Sequence, residues 1–322
     1  MTVKSRLLEL LEQHKGETLS GEEIAKEMNC TRAAIWKAVK ALREEGYTID
    51  AGQNRGYSLT KENNRLSIEG IRLFLRSPEV YIQFPDTVPS TNQAAKRAAI
   101  SGEAGHGSFV LARSQSAGRG RRGRQFYSPE ESGLYLSVIL EPKGNLQESL
   151  LLTTAAATAV YRAVKKICGI DLDIKWVNDL YLNGKKVCGI LTEAITDFES
   201  GDIEFAIVGI GLNLYEDPEG FPEELRHIAG GIFPDKYAAM KADRNALVAE
   251  IVNQLLDELD DLHISEEYLS RNIVPGRQIS ILDGDRSREA FAIKICEDGR
   301  LLVREADGTE TMLSFGEVSV RI

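Results

Sequence analysis

The 322-residue sequence predicts an α+β protein made of three consecutive segments, and three patterns indicate this. Residues 1–65 have helical periodicity followed by a hairpin pattern. Residues 66–270 combine apolar strands with alanine-rich helices, and residues 271–322 read as a meander of short strands with Asp-Gly turns. Single cores rarely grow beyond about 250–300 residues, so a chain of this length is expected to divide.

Composition and cysteine spacing narrow the class of protein. No apolar run approaches the ~20 residues that span a membrane, and the charged N-terminus lacks the apolar centre of a signal peptide. The four cysteines form no CxxC pair, which argues against a zinc site or a disulfide framework and favours a reducing compartment. We therefore expect a cytoplasmic protein with no membrane partner.

The first segment begins with three predicted helices. Lys4–Gln13 supplies apolar residues for a small core. In SGEEIAKEMNCTRAAIWKAVKALREEG, Ser20 opens a capping box and Thr31 is a typical N-cap, so two helices are predicted around a tight turn. Gly46 is expected to end the second of these helices.

The period then changes to two on both sides of Asn54-Arg55-Gly56, which predicts a hairpin. Three helices and a hairpin make a winged helix-turn-helix. This segment is slightly basic although the chain has a net charge of −10, so DNA is the favoured partner. The residues predicted to face DNA are Arg32, Trp36, Lys37, Lys40 and, at the wing tip, Arg55. The alternatives are a helical domain that binds protein, and a Trp36 that completes the core.

A flexible cationic loop, GRGRRGR at residues 118–124, stands in the central segment. No acidic residue lies between Arg113 and Glu130. Guanidinium groups offer a fixed fork of donors and glycine lets the backbone approach, a combination suited to anions. The loop follows a strand predicted to end at Gln115 and precedes the apolar strand GLYLSVIL, so it is expected at the mouth of a sheet. A nucleic acid and a nucleotide phosphate both remain open as the anion.

Further polar groups are expected at strand ends. Ser90-Thr91-Asn92 precedes an alanine-rich helix, and its serine and asparagine are natural N-caps that could contact a ligand.

Lys175 lies in a predicted strand, where a buried charge needs an anionic partner. That partner is either a ligand or a neighbouring carboxylate, Asp179 or Asp173. KVCGILTEAI is predicted to be a fully buried strand, preceded by an Asn-Gly hairpin turn.

The motifs GRGRRGR, STN, KWVNDLYLNGKKVCGIL and VGIGLN occur in an order that resembles the biotin–protein ligases. With the winged helix in front, the chain is similar to the bifunctional subgroup that also represses the biotin operon. Two departures are visible: Val177 stands where the family usually has proline, and Phe126 where some relatives have tryptophan.

The resemblance implies a biotin–[acetyl-CoA-carboxylase] ligase. Such an enzyme makes biotinyl-5′-AMP from biotin and MgATP and transfers biotin to a lysine of a biotin carboxyl carrier protein. The adenylate would also be the corepressor that favours a homodimer on operator DNA. The implied folds are a class II aminoacyl-tRNA-synthetase-like catalytic domain and an SH3-like C-terminal β-barrel.

The resemblance also assigns residues. The expected catalytic cations are Arg119, Arg121 and Lys175. The expected biotin-binding residues are Ser90, Thr91, Asn92, Gln115, Gly118, Arg119, Gly120, Arg121 and Lys175. The expected adenylate-binding residues are Arg121, Arg122, Lys175, Asn178, Gly209, Gly211 and Asn213. No protein metal ligand is expected, because Mg²⁺ usually binds substrate phosphates and water.

Three rival functions stay open. A lipoate–protein ligase belongs to the same superfamily, although the winged helix and GRGRRG favour biotin. A repressor that senses biotin without catalysis is disfavoured by the presence of Lys175 and Arg121. A nucleic-acid arm would need more Arg-Gly repeats with interleaved aromatic residues than this loop has.

Overall fold

The computed structural model describes residues 2–52, 56–142, 149–196, 203–216, 220–283, 286–314 and 317–320. The chain forms two compact units. The first comprises Met1–Glu79 and Met240–Glu250, and the second Val80–Ala239 and Ile251–Ile322. The predicted wing-tip residue Arg55 lies outside the described residues.

The first unit is a helix-turn-helix with a following hairpin. Its elements are α1 (Val3–Gln13), α2 (Gly21–Glu27), α3 (Arg32–Glu44), β1 (Ile49–Gly52), β2 (Gly56–Leu59) and α4 (Ile68–Arg72). The predicted caps are confirmed, since Ser20 makes the capping box of α2 and Thr31 accepts from the third residue of α3. Gly46 follows α3 with φ 92°, the left-handed conformation that favours glycine.

One apolar cluster holds these elements together. The leucines of α1 pack with Ile24 of α2 and with Ile35 and Leu42 of α3. Ile35 and Leu42 are seven residues apart, so they share one helix face. Burial of that face leaves the opposite, basic face of α3 to solvent.

The second unit contains a seven-stranded sheet with strand order β3-β5-β7-β11-β10-β9-β8. Its strands are β3 (Ile82–Gln83), β5 (Phe109–Ala112), β7 (Gly133–Leu140), β8 (Asp173–Lys175), β9 (Asp179–Leu182), β10 (Lys185–Thr196) and β11 (Ile203–Asn213). Among the described strands of this sheet, only the β3–β5 pair is parallel, which confirms the predicted mixed, mostly antiparallel layout. A separate parallel pair joins β4 (Thr87–Val88) to β6 (Ser114–Gln115).

Two helices, α5 (Thr91–Ile100) and α6 (Ser149–Cys168), pack on this sheet. The second unit also contains α7 (Lys236–Ala239), α9 (Glu266–Ser270), which contacts α6, and the part of α8 (Arg244–Asp260) that follows residue 250. The alanines of α5 face the sheet, where they contact Val110, Ile139 and Ile207. Small side chains let the helix approach closely, which holds its first turn against the strands.

The prediction that KVCGILTEAI (residues 186–195) is a fully buried strand is wrong. Val187, Cys188 and Ile190 are buried, whereas most of the other positions are half-buried or exposed. The difference arises because residues such as Gly189 and Leu191 line a cavity.

The last strands form a five-stranded antiparallel sheet in the order β15-β14-β13-β12-β16. They are β12 (Gln278–Asp283), β13 (Arg286–Ile295), β14 (Leu301–Glu305), β15 (Glu310–Leu313) and β16 (Glu317–Val320). Ile279, Ala292, Leu301 and Val303 are wholly buried in it. Across the described residues, no helix combines the length and apolar character that a bilayer span demands.

Candidate active site

A cavity of about 450 Å³ opens in the second unit, where the arginine loop (residues 118–124) meets the sheet. Its volume lies in the range of small-molecule sites. The predicted site residues that line it are Ser90, Thr91, Asn92, Gln115, Arg119, Gly120, Arg121, Arg122, Lys175, Asn178, Gly209, Gly211 and Asn213. Gly118 is buried behind the cavity wall, where a Cβ would lie 2.4 Å from the Phe126 carbonyl oxygen.

The arginine loop doubles back on itself. The Gly120 N–H donates to the Arg124 carbonyl (2.7 Å), and the Phe126 N–H donates to the Gly118 carbonyl (2.9 Å). Arg122 adopts φ 56° at the tip and donates from Nη1 to the Leu282 carbonyl (3.0 Å). These bonds close the loop over the cavity, with Arg119 and Arg121 in its wall.

Asn178 orients Arg121. The Arg121 Nη1 donates to Asn178 Oδ1 (2.9 Å), while Asn178 Nδ2 donates to the Ile190 carbonyl (2.9 Å). Because a backbone carbonyl only accepts, the Asn178 oxygen must face the guanidinium. The family resemblance assigned Asn178 to the adenylate but gave no sign of this contact with the arginine loop.

Lys175 ends β8 and is half-buried. Its Nζ lies 5.5 Å from the centre of the Tyr181 ring, and its Cα faces that of Asp179 on β9. Asp179 forms an ion pair with Lys186 Nζ at 2.5 Å. The Asp179 carboxylate therefore already has a cationic partner other than Lys175.

The chain just after Lys175 is held by hydrogen bonds to residues beyond position 265. The Trp176 Nε1 donates to the Gly299 carbonyl, and the Tyr268 hydroxyl donates to the Val177 carbonyl, both at 2.9 Å. Burial raises the pKa of Tyr268, so the hydroxyl keeps its proton for this bond. Val177, where the resemblance leads one to expect proline, follows a cis peptide bond.

The parallel pairing of β4 with β6 brings Thr91 to Gln115. The Thr91 N–H donates to Gln115 Oε1 (2.8 Å), and Gln115 Nε2 donates to Ser128 Oγ (2.9 Å). Ser90 occupies the N-cap position of α5 as predicted, but its side chain makes no capping bond. The prediction of Asn92 as an N-cap is wrong, because it lies inside α5.

Asn92 instead contacts the sheet. Its Nδ2 donates to the Leu191 carbonyl (3.2 Å) and to Glu193 Oε2 (2.7 Å), and its Oδ1 lies 2.6 Å from Ser137 Oγ. Sequence reasoning missed Ser137, Ser128 and Glu193. The available signal was a polar residue inside an apolar strand, as with Ser137 in GLYLSVIL.

Glycines form the floor of the cavity. A Cβ on Gly209 would lie 2.1 Å from Asn92 Oδ1, and one on Gly211 would lie 2.4 Å from Phe126 Cε1. Cys188 lies beside them, and burial raises the pKa of its thiol well above the ordinary value, so it stays protonated. Among the described residues, no group of three His, Cys, Asp or Glu side chains could hold a metal ion.

The close approach at Gly209 leads to a prediction. Gly209→Ala should weaken biotin binding about tenfold, because the new methyl displaces the buried Asn92 amide from its bonds. Isothermal titration with biotin measures this effect. Gly105→Ala, at an exposed turn, is the matched control. Equal biotin affinities of the wild type, Gly209→Ala and Gly105→Ala would contradict the prediction.

The predicted DNA-contacting residues share the exposed face of α3 in the first unit. They are Arg32, Trp36, Lys37 and Lys40. The Trp36 side chain is 58% exposed, with Lys40 Nζ 5.9 Å from its ring centre, so it does not complete the core. An apolar ring among cations is suited to a major groove.

Family models match both units. An HTH domain model matches residues 3–58, and the Biotin/lipoate A/B protein ligase family model matches residues 84–213. The second match contains the arginine loop, the polar residues around Thr91 and the strand end at Lys175.

Relatives and solved structures extend the match. The chain is 38% identical over 253 residues to the bifunctional ligase/repressor BirA of Bacillus subtilis (strain 168), covering 78% of this chain and 76% of that protein. It is 29% identical to the BirA of Escherichia coli (strain K12), covering 99% and 98%. The biotin protein ligase from Aquifex aeolicus in complex with biotin and ATP superposes with a TM-score of 0.57 and 26% identity, covering 75% of this chain and 98% of that one. The chain therefore belongs to the family of bifunctional ligase/repressor proteins, in which a helix-turn-helix domain precedes a biotin–protein ligase domain.

Proposed function

We propose that the cavity beneath the arginine loop is where this biotin–protein ligase joins biotin to AMP. The observation that carries the proposal is that one cavity holds both the polar residues around Thr91 and the cations Arg121 and Lys175. The polar residues suit a ureido group, and the cations suit phosphate and carboxylate. One site can therefore bring the two substrates together.

The first step joins two anions. A carboxylate oxygen of biotin attacks the α-phosphorus of ATP, and pyrophosphate leaves as the bond to the bridging oxygen breaks. Mg²⁺ enters as part of the MgATP substrate. Arg119, Arg121 and Lys175 are proposed to offset the repulsion between the anions and to stabilise charge on the transferring phosphoryl group.

The remaining cavity residues are proposed to bind the two halves of the adenylate. Those assigned to biotin are Ser90, Thr91, Asn92, Gln115, Gly118 and Gly120. Those assigned to the nucleotide are Arg122, Asn178, Gly209, Gly211 and Asn213. Support comes from their positions in or directly behind one cavity wall.

In the second step the amine of a carrier-protein lysine attacks the acyl carbon, and AMP leaves. Before this attack the anhydride must be kept from water. The closed arginine loop, with Phe126 packed over Gly189 and Gly211, supports a shielding role.

We infer that the three functional domains are residues 1–65, 66–270 and 271–322. The last is proposed to be an SH3-like barrel, a view that the five-stranded antiparallel order supports. Bonds from Arg122 to Leu282 and from Trp176 to Gly299 connect this segment to the residues that directly follow Arg121 and Lys175. We propose that it helps to hold the arginine loop closed over ATP.

Operator DNA is the proposed partner of α3, with Lys37 on a phosphate. Lys37→Ala should weaken binding about fivefold on all duplexes and lower the salt slope by about one, because one fewer phosphate is neutralised. Fluorescence anisotropy on a duplex selected from a random-sequence pool measures both values. Lys96→Ala, exposed on α5, is the control, and an unchanged salt slope for Lys37→Ala would place that lysine away from the phosphates.

Homodimerisation on adenylate binding is proposed from the family resemblance. The adenylate can drive it only if it binds the dimer-competent state more tightly than the other state. Sedimentation with and without biotin and ATP tests this, and an unchanged molecular mass would reject it.

The catalytic proposal is tested by pyrophosphate release with biotin and ATP, followed by transfer of radiolabelled biotin to a carrier domain. We expect both activities with biotin and neither with lipoate. Pyrophosphate release with lipoate and ATP, but not with biotin and ATP, would indicate a lipoate–protein ligase. Tight biotin binding without pyrophosphate would indicate a sensor that lacks catalysis.

A further inference from the structure

Glu193 on β10 stands behind the polar residues of the cavity. It accepts from Asn92 Nδ2 at 2.7 Å, and the Leu191 carbonyl accepts from the same nitrogen at 3.2 Å. A carboxylate and a carbonyl can only accept. Both amide hydrogens are thereby committed, and the Asn92 oxygen has to face the other way.

Ser137 contacts the Asn92 oxygen in this orientation. Its Oγ lies 2.6 Å from Asn92 Oδ1 and 2.8 Å from Thr91 Oγ1, and the side chain is fully buried. A hydroxyl carries one proton, and Asn92 Oδ1 has none to give. The Ser137 proton therefore goes to Asn92, which leaves Ser137 as an acceptor toward Thr91.

The Thr91 hydroxyl then has two inward neighbours, and both accept. One is Ser137, and the other is Gln115 Oε1 at 3.1 Å, which already accepts from the Thr91 N–H. Ser137 is the nearer of the two, and Gln115 Oε1 already accepts one bond, so the Thr91 proton goes to Ser137. The Thr91 oxygen then offers only lone pairs to the cavity. Gln115 is fixed as well, since its Nε2 donates to Ser128 and the second N–H of that group remains a donor.

We propose that Glu193 is a positioning residue for biotin recognition, acting through Asn92 and Ser137 to make Thr91 an acceptor. A ureido group presents N–H donors beside a carbonyl acceptor, the complement of an acceptor at Thr91 and a donor at Gln115. The inference rests on the proposed function of the cavity. Glu193 itself need not touch biotin.

Two substitutions test this role. Glu193→Leu removes the acceptor and should weaken biotin binding about tenfold, because a buried Asn92 donor loses its partner. Glu193→Gln keeps an acceptor oxygen and should stay within about threefold of the wild type, since its amide can still accept from Asn92. KM for biotin should rise in Glu193→Leu while kcat at saturating biotin changes little.

Isothermal titration separates positioning from general damage. Desthiobiotin keeps the ureido group, so its affinity should fall by the same factor as that of biotin, whereas ATP affinity should hold. Glu204→Leu, an exposed position on β11, is the matched control. Melting temperatures show whether each variant folds.

A double-mutant cycle with Ser137→Ala completes the test. If Glu193 acts through Ser137, the two losses will not add. Additive losses, an equal loss of ATP affinity, a Gln variant as weak as the Leu variant, or unchanged biotin affinity in Glu193→Leu would each overturn the inference. A wild-type protein that binds no biotin would instead reject the function proposed for the cavity.

Discussion

Replacing Lys175 with alanine is expected to slow adenylate synthesis by at least about 100-fold, with a far smaller loss of biotin affinity. The ammonium group is half-buried in the cavity wall, over the Tyr181 ring. Charge on the transferring phosphoryl group grows as the reaction proceeds, so a fixed cation stabilises the transition state more than the bound substrates.

Single-turnover measurement of pyrophosphate release gives the rate of Lys175→Ala, and titration gives its biotin affinity. Lys185→Ala is the matched control, because that lysine is exposed at the start of β10. Equal losses of rate and affinity would make Lys175 a binding residue only. A normal rate would mean that its charge serves the Asp179 region and not the reaction.

Arg121→Ala is expected to release the adenylate into solution about 10- to 100-fold faster, with the fold intact. Arg121 joins the arginine loop to Asn178 on the sheet and lines the cavity. Its loss removes a charged contact and one of the bonds that hold the loop closed. Free adenylate should then appear before transfer to the carrier protein.

The rate of adenylate release is measured by filter capture of radiolabelled biotinyl-5′-AMP, followed over time. Arg124→Ala is a useful comparison, since that residue is exposed at the end of the same loop. Retention of the adenylate by Arg121→Ala would remove the loop from the binding site. A low melting temperature for Arg121→Ala would show a general defect, and Arg121→Lys would then separate charge from the fork of donors.

Local signals predicted much of the fold. The caps at Ser20 and Thr31 and the glycine at 46 each act within one helix turn, so they could be recognised in the sequence. The Asn183-Gly184 hairpin also has the positive φ values that such a turn needs. Strand burial at residues 185–196 was misjudged, because burial depends on what lies across the sheet.

The sequence motifs predicted which residue types line the cavity, but not the hydrogen bonds among them. GRGRRGR and the lysine before Trp176 are compact motifs, and the structure places their cations around one cavity. The chain of bonds from Glu193 to Thr91 joins residues that are about a hundred positions apart. No local pattern marks such a chain, since each link exists only after the strands have paired.

The hydrogen bonds that hold the residues next to Lys175 affect when the protein can become active during its synthesis. Ile174 exchanges backbone hydrogen bonds with Arg271 and Ile273. On the other side of Lys175, Trp176 is bonded to Gly299 and Val177 to Tyr268. The last residue that lines the cavity, Ala229, is translated 70 codons before Gly299. A nascent or prematurely terminated chain can thus contain all the residues that line the cavity and still lack Gly299, whose bond to Trp176 helps to position Lys175.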